Sequence, residues 1–256
     1  MNKLSVALAV YNEEENLTKC LESVDGLASE IIIVDGGSSD KTLEIAKKFD
    51  AKVIQAKNVP IFHINKNKAI DACSRDWILQ LDADEVVSAG LAEEIEKTIQ
   101  KDSSVNGYWI PRKNFFLGRY LKKGGQYPDY TLRLYKNGKG RLPAKDVHEQ
   151  AEVQGEVGYL KNDLLHERDK NFSQYIFRFN RYTDLLASQL KEKKVKTSIV
   201  SFISFVFFKP VWWFTKAYFR HRGYVDGFSG FVFALFSGLR FPVSYFKLLI
   251  NHENRN

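Results

Sequence analysis

Residues 77–85 read WILQLDADE, an apolar run typical of a buried strand that leads directly into Asp82, Asp84 and Glu85. Clustered carboxylates repel one another, and burying them costs free energy unless a cation or a hydrogen-bonding ligand compensates. Asp82 and Asp84 lie two residues apart, so on an extended chain both side chains point to the same side. They can then share one hard cation, Mg²⁺ or Mn²⁺, of the kind that also binds substrate phosphates. The alternative is a solvated loop cluster.

Strand and helix signals alternate around this stretch. Strands are predicted at LSVALAVY (4–11), EIIIVDGG (30–37), KVIQA (52–56) and WILQLDADE (77–85). Helices are predicted after Asn12, which begins a capping-box pattern with Glu15, after Ser39 and Asp40, and through Leu91, Ile95 and Ile99. The alternation predicts an α/β fold with a mostly parallel sheet flanked by helices. Ligands of such sheets bind outside the carboxyl ends of the strands, so we expect the polar residues there to converge.

The pattern changes after about residue 103. Short strands separated by glycines, such as GYWIPRKNFF and TLRLYK, predict an antiparallel addition to the sheet. Beyond residue 166, apolar residues recur at spacings of three and four from Phe172 to Leu190, as in a long amphipathic helix. The sequence therefore predicts one domain over residues 1–165, with halves at 1–102 and 103–165, and C-terminal amphipathic helices over 166–256.

The C-terminal part contains two aromatic-rich runs, IVSFISFVFFKPVWWF (199–214) and FSGFVFALFSGLRF (228–241). Lys209 and Pro210 are expected to break the first run, and Arg240 and Pro242 to close the second, before either reaches the length that spans a bilayer. We therefore expect an interfacial or re-entrant membrane segment whose basic residues meet anionic lipid. The alternative is a helical pair that packs on its own domain.

Charge is divided unequally along the 256 residues. Residues 1–102 carry 12 Lys and Arg against 19 Asp and Glu, a net charge of −7, whereas residues 103–256 carry 26 against 12, a net charge of +14. The basic part favours an anionic partner. Because its cations accompany Phe and Trp in long apolar runs, an acidic membrane surface is favoured over nucleic acid. The two cysteines lack metal-ligand spacing, so Cys20 and Cys73 are predicted to be core residues.

Four motifs occur in a recognisable order: VYNEEENL (10–17), IIIVDGGSSDKT (31–42), NKNKA (65–69) and LQLDADE (79–85). In order and spacing they resemble the nucleotide-binding half of family 2 inverting glycosyltransferases, which have the GT-A fold. The likeness continues through residues 107–135, VHE, LLHERD and the tail at 218–235. There the chain is similar to lipopolysaccharide-core β-1,4-glucosyltransferases. The resemblance implies that residues 1–165 form the catalytic domain, with a nucleotide-binding half and an acceptor half.

The resemblance implies a role for each residue of the nucleotide pocket. Tyr11 and Glu13 would line the base and ribose pocket, and Asp35 would accept a hydrogen bond from the uracil N–H. Lys66 would approach the base or the diphosphate, and Asp82 would hydrogen-bond the ribose.

The resemblance also implies a metal ion. Asp84 would bind Mg²⁺ or Mn²⁺ where the ion bridges the diphosphate of a UDP-sugar. Enzymes of this fold often add a histidine from the C-terminal side, and both His148 and His166 are candidates for that position.

Asp129, which follows the glycine-containing loop GGQYP (124–128), matches the position of the family's catalytic acidic residue. An inverting transfer needs a general base to take the acceptor's proton, and one carboxylate suffices. The alternative for Asp129 is a turn cap after Pro128. Arg112, Lys113 and Arg133 are further candidates for gripping phosphates.

These observations predict a metal-dependent glycosyltransferase that moves a hexose, expected to be glucose, from a UDP-sugar to a membrane glycolipid such as the lipopolysaccharide inner core. We expect a peripheral enzyme on the cytoplasmic face of the inner membrane, bound to the anionic leaflet and not to nucleic acid. The alternatives are a sugar-phosphate nucleotidyltransferase, a polyprenyl-phosphate-directed glycosyltransferase, a phosphatase of the D-x-D-x-[TV] type and a membrane-binding module without activity.

Overall fold

A computed structural model describes residues 2–143, 150–169 and 171–253. The chain divides into two compact units. The first consists of Met1–Arg112 and Asp129–Glu167, and the second of Lys113–Pro128 and Arg168–Asn256. The loop at 113–128, placed by the sequence in the acceptor half, thus belongs to the second unit.

The strands are β1 Leu4–Val10, β2 Glu30–Asp35, β3 Lys52–Gln55, β4 Trp77–Leu81, β5 Glu85–Val87, β6 Val105–Phe116, β7 Arg119–Tyr120, β8 Asp129–Lys136, β9 Gly140–Arg141, β10 Glu152–Val153, β11 Glu156–Tyr159 and β12 Leu164–Asp169. The α-helices are α1 Leu17–Glu22, α2 Thr42–Lys48, α3 His63–Asp71, α4 Ala89–Ile99, α5 Phe172–Glu192, α6 Ile199–Ile203, α7 Lys209–Thr215 and α8 Gly227–Glu253.

The main sheet has the strand order β3-β2-β1-β4-β8-β6-β12-β5. β1 pairs in parallel with β2 and β4, and β2 pairs in parallel with β3. β8 is antiparallel to both β4 and β6. All five residues of β4 are buried, because helices cover both faces of the parallel part of the sheet. The predicted α/β fold, with a mostly parallel sheet and an antiparallel addition, is confirmed.

The core of the first unit forms where helices pack on this sheet. Leu17 and Leu21 of α1 and Leu91 and Ile95 of α4 are fully buried in the same cluster as Leu79 of β4. These residues follow the predicted helical spacing, which put them on one face. Both cysteines are buried free thiols, as predicted.

The predicted capping role of Asn12 is wrong, because α1 begins five residues later at Leu17. Asn12 has a left-handed backbone, with φ of 54°. Its side-chain Oδ1 accepts a hydrogen bond of 2.8 Å from the Ser39 N–H. Short Asn side chains tolerate this conformation and commonly bond to neighbouring loops. Asn12 therefore ties the loop after β1 to the loop after β2.

The second unit contains α5, as predicted, and two long helical segments, Ile199–Arg220 and Gly223–Ile250. Both are long and apolar enough to cross a membrane by length and composition. The prediction that Lys209 and Pro210 break the first segment is wrong. A π-helical turn, Ser204–Phe208, precedes α7, and Pro210 occupies the first turn of α7. Proline is tolerated at such a position because its missing N–H is not needed there.

Pro242, expected to close the second run, lies inside α8. The two long segments also approach closely at Gly238. A Cβ atom on Gly238 would lie 2.6 Å from the Pro210 carbonyl oxygen, so only glycine fits at this crossing.

Candidate active site

The parallel strands bring the predicted nucleotide-pocket residues to one edge of the sheet. Val10 at the end of β1 lies opposite Asp35 at the end of β2, and Leu8 lies opposite Leu81 at the end of β4. Residues that follow these strands, including Tyr11 and Asp82, therefore start from neighbouring positions. Tyr11 is about half exposed.

Asp35 is fully buried and is held by the loop that follows it. Its carboxylate accepts hydrogen bonds from the Gly37 N–H (3.0 Å), the Ser38 N–H (3.1 Å) and the Ser38 hydroxyl (2.5 Å). These bonds fix the orientation of the Asp35 carboxylate.

Glu13 lies near the carboxylates that follow β4. Its backbone N–H donates to Thr42 Oγ1 at 2.8 Å, and its Oε2 accepts from Asn16 Nδ2 at 2.9 Å. Burial, reinforced by the charges of Asp84 and Asp82, raises the pKa of the Glu13 carboxyl, although the bond from Asn16 opposes the shift. The Glu13 carboxyl is thus partly desolvated and lies close to the negative charges of Asp84 and Asp82.

Asp82 is paired with two buried cations. Arg133 Nη2 donates to Asp82 Oδ2 at 2.6 Å, and Lys66 Nζ forms an ion pair with Asp82 Oδ1. Burial alone would raise the pKa of Asp82, but Arg133 and Lys66 outweigh it and hold that pKa well below its usual value. Burial lowers the pKa of Lys66, and the charge of Asp82 opposes that shift. Asp82 is therefore a fixed anion.

Glu85 contacts both Arg133, which is a partner of Asp82, and a second arginine, Arg112. Its side chain is fully buried, and its Oε1 accepts from Arg133 Nη2 at 2.8 Å and from Arg112 Nη1 at 3.3 Å. Its Oε2 accepts from the Asp82 backbone N–H at 2.9 Å. Glu85 thereby fixes both arginines and the turn that carries Asp82.

Asp129 begins β8 and lies directly opposite Arg112 of β6. Arg112 Nε and Nη2 donate to Asp129 Oδ2 at 3.0 and 2.7 Å. Burial opposes the charge of Arg112, but Glu85 and Asp129 raise the pKa of its guanidinium. The Asp129 side chain is 38% exposed, so it is accessible from solvent.

Asp84 and His166 form the part of the site suited to a metal ion. His166 Nε2 lies 3.3 Å from Asp84 Oδ2, and the Asp84 carbonyl accepts from the Glu167 N–H at 2.8 Å. His166 is in register with Glu85 on the β12–β5 pair. His148 lies outside the described residues. Within residues 2–143, 150–169 and 171–253, no group of three or more His, Cys, Asp or Glu could hold a metal.

Two protein ligands are nevertheless enough for some divalent-cation sites. Mg²⁺ is commonly bound by one or two carboxylates while substrate phosphates and water fill its other positions. Asp84 offers oxygen and His166 offers nitrogen at the same edge of the sheet. The pair thus offers a divalent cation one carboxylate and one imidazole ligand.

The sequence profile of glycosyl transferase family 2 matches residues 5–152, which is more than half of the chain. The chain belongs to glycosyl transferase family 2. It is 31% identical to the lipopolysaccharide core biosynthesis glycosyltransferase LpsC of Rhizobium meliloti over 238 residues, which cover 91% of this chain and 86% of that protein. It is 29% identical to an uncharacterized glycosyltransferase of Rickettsia typhi over 91% of this chain and 82% of that protein.

The fold of this family 2 glycosyltransferase is similar to that of S. aureus TarS residues 1–349. The TM-score is 0.50 at 14% identity, and the likeness covers 99% of this chain and 92% of that one. The predicted family membership, the GT-A fold and the assignment as a glycosyltransferase are confirmed. The resemblance to lipopolysaccharide-core enzymes is likewise confirmed by LpsC.

The ion pairs in the site of this glycosyltransferase were not predicted from the sequence. Arg112 and Arg133 were proposed as phosphate ligands, and in the structure both are bonded to carboxylates of the site. No separate role was predicted for Glu85, or for Gln80, whose Oε1 accepts from Arg133 Nη1. A usable signal was present: an acidic residue directly after D-x-D must face a cation if it is buried.

Proposed function

We propose that this glycosyltransferase moves a hexose, expected to be glucose, from a UDP-sugar to a membrane glycolipid with inversion at the anomeric carbon and with the help of a divalent ion. The observation that supports this most is that Arg133 and Arg112 link the carboxylates of Asp82, Glu85 and Asp129, and that His166 lies beside Asp84 and opposite Glu85. The acceptor we propose is the lipopolysaccharide core, because the relative LpsC is a lipopolysaccharide core biosynthesis glycosyltransferase.

In the proposed reaction Asp129 takes the proton from the acceptor hydroxyl as that oxygen attacks the anomeric carbon. The bond between this carbon and the UDP oxygen breaks, and its electron pair leaves with UDP. Asp35 and Asp82 hold the nucleoside, and Asp84 and His166 would hold the Mg²⁺ or Mn²⁺. The ion, when bound, stabilises the negative charge that grows on the diphosphate. Asp82 does not compete for it, because Lys66 and Arg133 already neutralise that carboxylate.

The donor proposal predicts a metal-dependent thermal shift. UDP-glucose with Mn²⁺ should raise the melting temperature, and at one hundred times Kd the stabilisation should be about 2.7 kcal/mol. Excess chelator should abolish both the shift and the transfer. Asp84→Asn should lose most of the Mn²⁺ effect. Differential scanning fluorimetry of the full chain, with and without Mn²⁺, measures this.

Asp76→Asn is the matched control, because Asp76 lies at the other end of β4, where it accepts from the Lys3 N–H at 2.8 Å. Its response to UDP-glucose and Mn²⁺ should equal that of the wild type. Full turnover in excess chelator would refute the metal role of Asp84 and His166. Shifts with other UDP-sugars, but not with UDP-glucose, would replace glucose in the proposal.

We also propose that the second unit binds the cytoplasmic face of the inner membrane. It carries 19 Lys and Arg against 5 Asp and Glu, a net charge of +14, while the first unit has a net charge of −7. The exposed face of its Ile199–Arg220 segment is apolar, with Ile199 and Phe208 each 71% exposed and Trp212 64% exposed. Such a surface suits anionic lipid, which offers both acyl chains and negative headgroups.

Contacts within this unit favour a helix pair that lies in the membrane surface over one that spans it. Lys247 of α8 bonds to Asp184 Oδ1 at 2.7 Å and to the Asn180 carbonyl at 2.8 Å, so α5 packs beside α8. α5 also carries Arg178 and Arg181. If α8 crossed the bilayer, these charged residues of α5 would be drawn toward the hydrocarbon at a high cost.

A single substitution tests the membrane surface. Trp212→Glu should weaken binding to vesicles that contain anionic lipid by about tenfold or more, because a large apolar side chain is lost from the lipid contact. Added salt should weaken wild-type binding further. Tyr159→Glu is the control, since Tyr159 of the first unit is similarly exposed, at 62%. Equal co-sedimentation of wild type and Trp212→Glu would contradict the proposal.

A further inference from the structure

Six side chains of the first unit form a chain of alternating charge. Its members, in order, are Lys66, Asp82, Arg133, Glu85, Arg112 and Asp129. Each neighbouring pair is in contact, and four different secondary-structure elements and one loop contribute. This series of ion pairs connects the proposed ribose-binding carboxylate, Asp82, to the proposed base, Asp129.

Arg112 is the link that reaches the base. Its guanidinium directs Nε and Nη2 to the same oxygen of Asp129, at 3.0 and 2.7 Å, and Nη1 to Glu85 at 3.3 Å. The planar guanidinium holds a carboxylate in a defined orientation, which a lysine ammonium does not. Glu85 is fully buried and is itself fixed by Arg133, so Arg112 is anchored on the side away from Asp129.

We propose that Arg112 is a positioning residue that sets the orientation of Asp129 for proton abstraction. This inference rests on the proposed function, because it assigns Asp129 as the base. Asp129 begins a strand and is 38% exposed, so its side chain needs an external partner to keep one rotamer. The cross-strand register of Arg112 and Asp129 supplies that partner from a rigid element instead of a loop.

The expected signature is a loss of turnover without a loss of donor affinity. Arg112→Met should lower kcat for glucose transfer about 10²-fold, the cost of a misplaced catalytic group, while KM for UDP-glucose changes less than about threefold. Arg112→Lys should recover part of the rate, because it keeps the charge but loses the two-pronged contact. Steady-state kinetics with a lipopolysaccharide-core acceptor and Mn²⁺ measure both quantities.

A double-mutant cycle separates positioning from a general structural role. If Arg112 acts through Asp129, then Arg112→Met should cost less than about twofold when it is added to Asp129→Asn. Arg141→Met is the matched control, because Arg141 also donates two hydrogen bonds to one aspartate, Asp71, at 2.6 and 3.1 Å, and both side chains are largely exposed. Its kcat should stay near that of the wild type.

The outcomes distinguish this inference from the proposed function. A wild-type enzyme that transfers no sugar from any UDP-sugar overturns both. An active wild type with an unimpaired Arg112→Met variant overturns the positioning role alone. Equal losses from Arg112→Met in the wild-type and Asp129→Asn backgrounds, or a rise in KM that accounts for the whole effect, also overturn it. Urea unfolding of each variant confirms that it is folded under the assay conditions.

Discussion

Replacing Asp129 by asparagine is expected to lower the rate of sugar transfer by about 10²- to 10⁴-fold, the usual contribution of a general base. Asparagine keeps the size of the side chain and can still accept a hydrogen bond from Arg112. It cannot take a proton from the acceptor hydroxyl. The measurement is kcat with saturating UDP-glucose, Mn²⁺ and a lipopolysaccharide-core acceptor.

The affinity for UDP-glucose distinguishes a general base from a residue that binds the donor nucleotide. Asp129→Asn should keep the Kd for UDP-glucose within about threefold of the wild type by calorimetry, because Asp129 makes no proposed contact with the donor. Asp71→Asn, which alters the exposed partner of Arg141, is the control and should retain full activity. Near-normal transfer by Asp129→Asn would remove Asp129 as the base. A parallel loss of donor affinity would assign it to the donor pocket instead.

The parallel part of the fold was predictable because its signals are local. β4 is an unbroken apolar run with polar residues immediately after it, and Leu91, Ile95 and Ile99 of α4 have a helical spacing. A strand buried on both faces gives a continuous apolar run, and a helix buried on one face gives a helical spacing of apolar residues. Both patterns can be recognised without knowing which distant residues pack against them. The convergence of Asp35 and Asp82 at one sheet edge follows from the same parallel topology.

The bounds of α3 were not predicted, because most of its buried side chains are polar. Asn65, Lys66 and Asn67 are all buried, so the helix lacks an apolar stripe. Asn67 Nδ2 donates to the Leu142 carbonyl at 2.9 Å, and its Oδ1 accepts from the Leu142 N–H at 3.1 Å. These contacts satisfy a buried amide with a segment 75 residues away. The spacing of apolar residues does not indicate a hydrogen-bond partner that lies far away in the sequence.

The pairing of Arg112 with Asp129 was equally hidden. The two residues face each other only because β6 and β8 adopt one particular register, with an irregularity between Tyr108 and Trp109. A shift of one residue would send Arg112 to the opposite face of the sheet. The connection between the strands is too long for a tight turn to fix that register from sequence.

The second large effect concerns stability, and it comes from Arg133. Arg133→Met should lower the free energy of unfolding of the first unit by about 3–5 kcal/mol, the usual cost of removing one partner from a buried ion pair. Methionine fills much of the same volume, so the loss is mainly electrostatic. The substitution removes the contact of the fully buried Glu85 with Arg133. It also removes the positive charge that lies between the carboxylates of Asp82 and Glu85. Urea unfolding followed by circular dichroism measures the change.

Arg141→Met is again the control, because it removes an arginine–aspartate pair at an exposed position, where such pairs contribute less than about 1 kcal/mol. If both variants lost the same small amount, burial of the Arg133 cluster would not be the source of its stability.

The pH dependence of the stability difference between the wild type and Arg133→Met provides a sharper test of the same mechanism. Arg133, with Lys66, depresses the folded-state pKa of Asp82, so the stability due to this ionised carboxylate is present above its unfolded pKa of about 4. It is lost as the pH falls toward the lower folded-state pKa. In Arg133→Met the depression is smaller, and so is the acid-dependent loss. The gap in stability between wild type and variant should therefore narrow below about pH 4, whereas a gap that stays constant would mean that methionine disrupts packing and not charge.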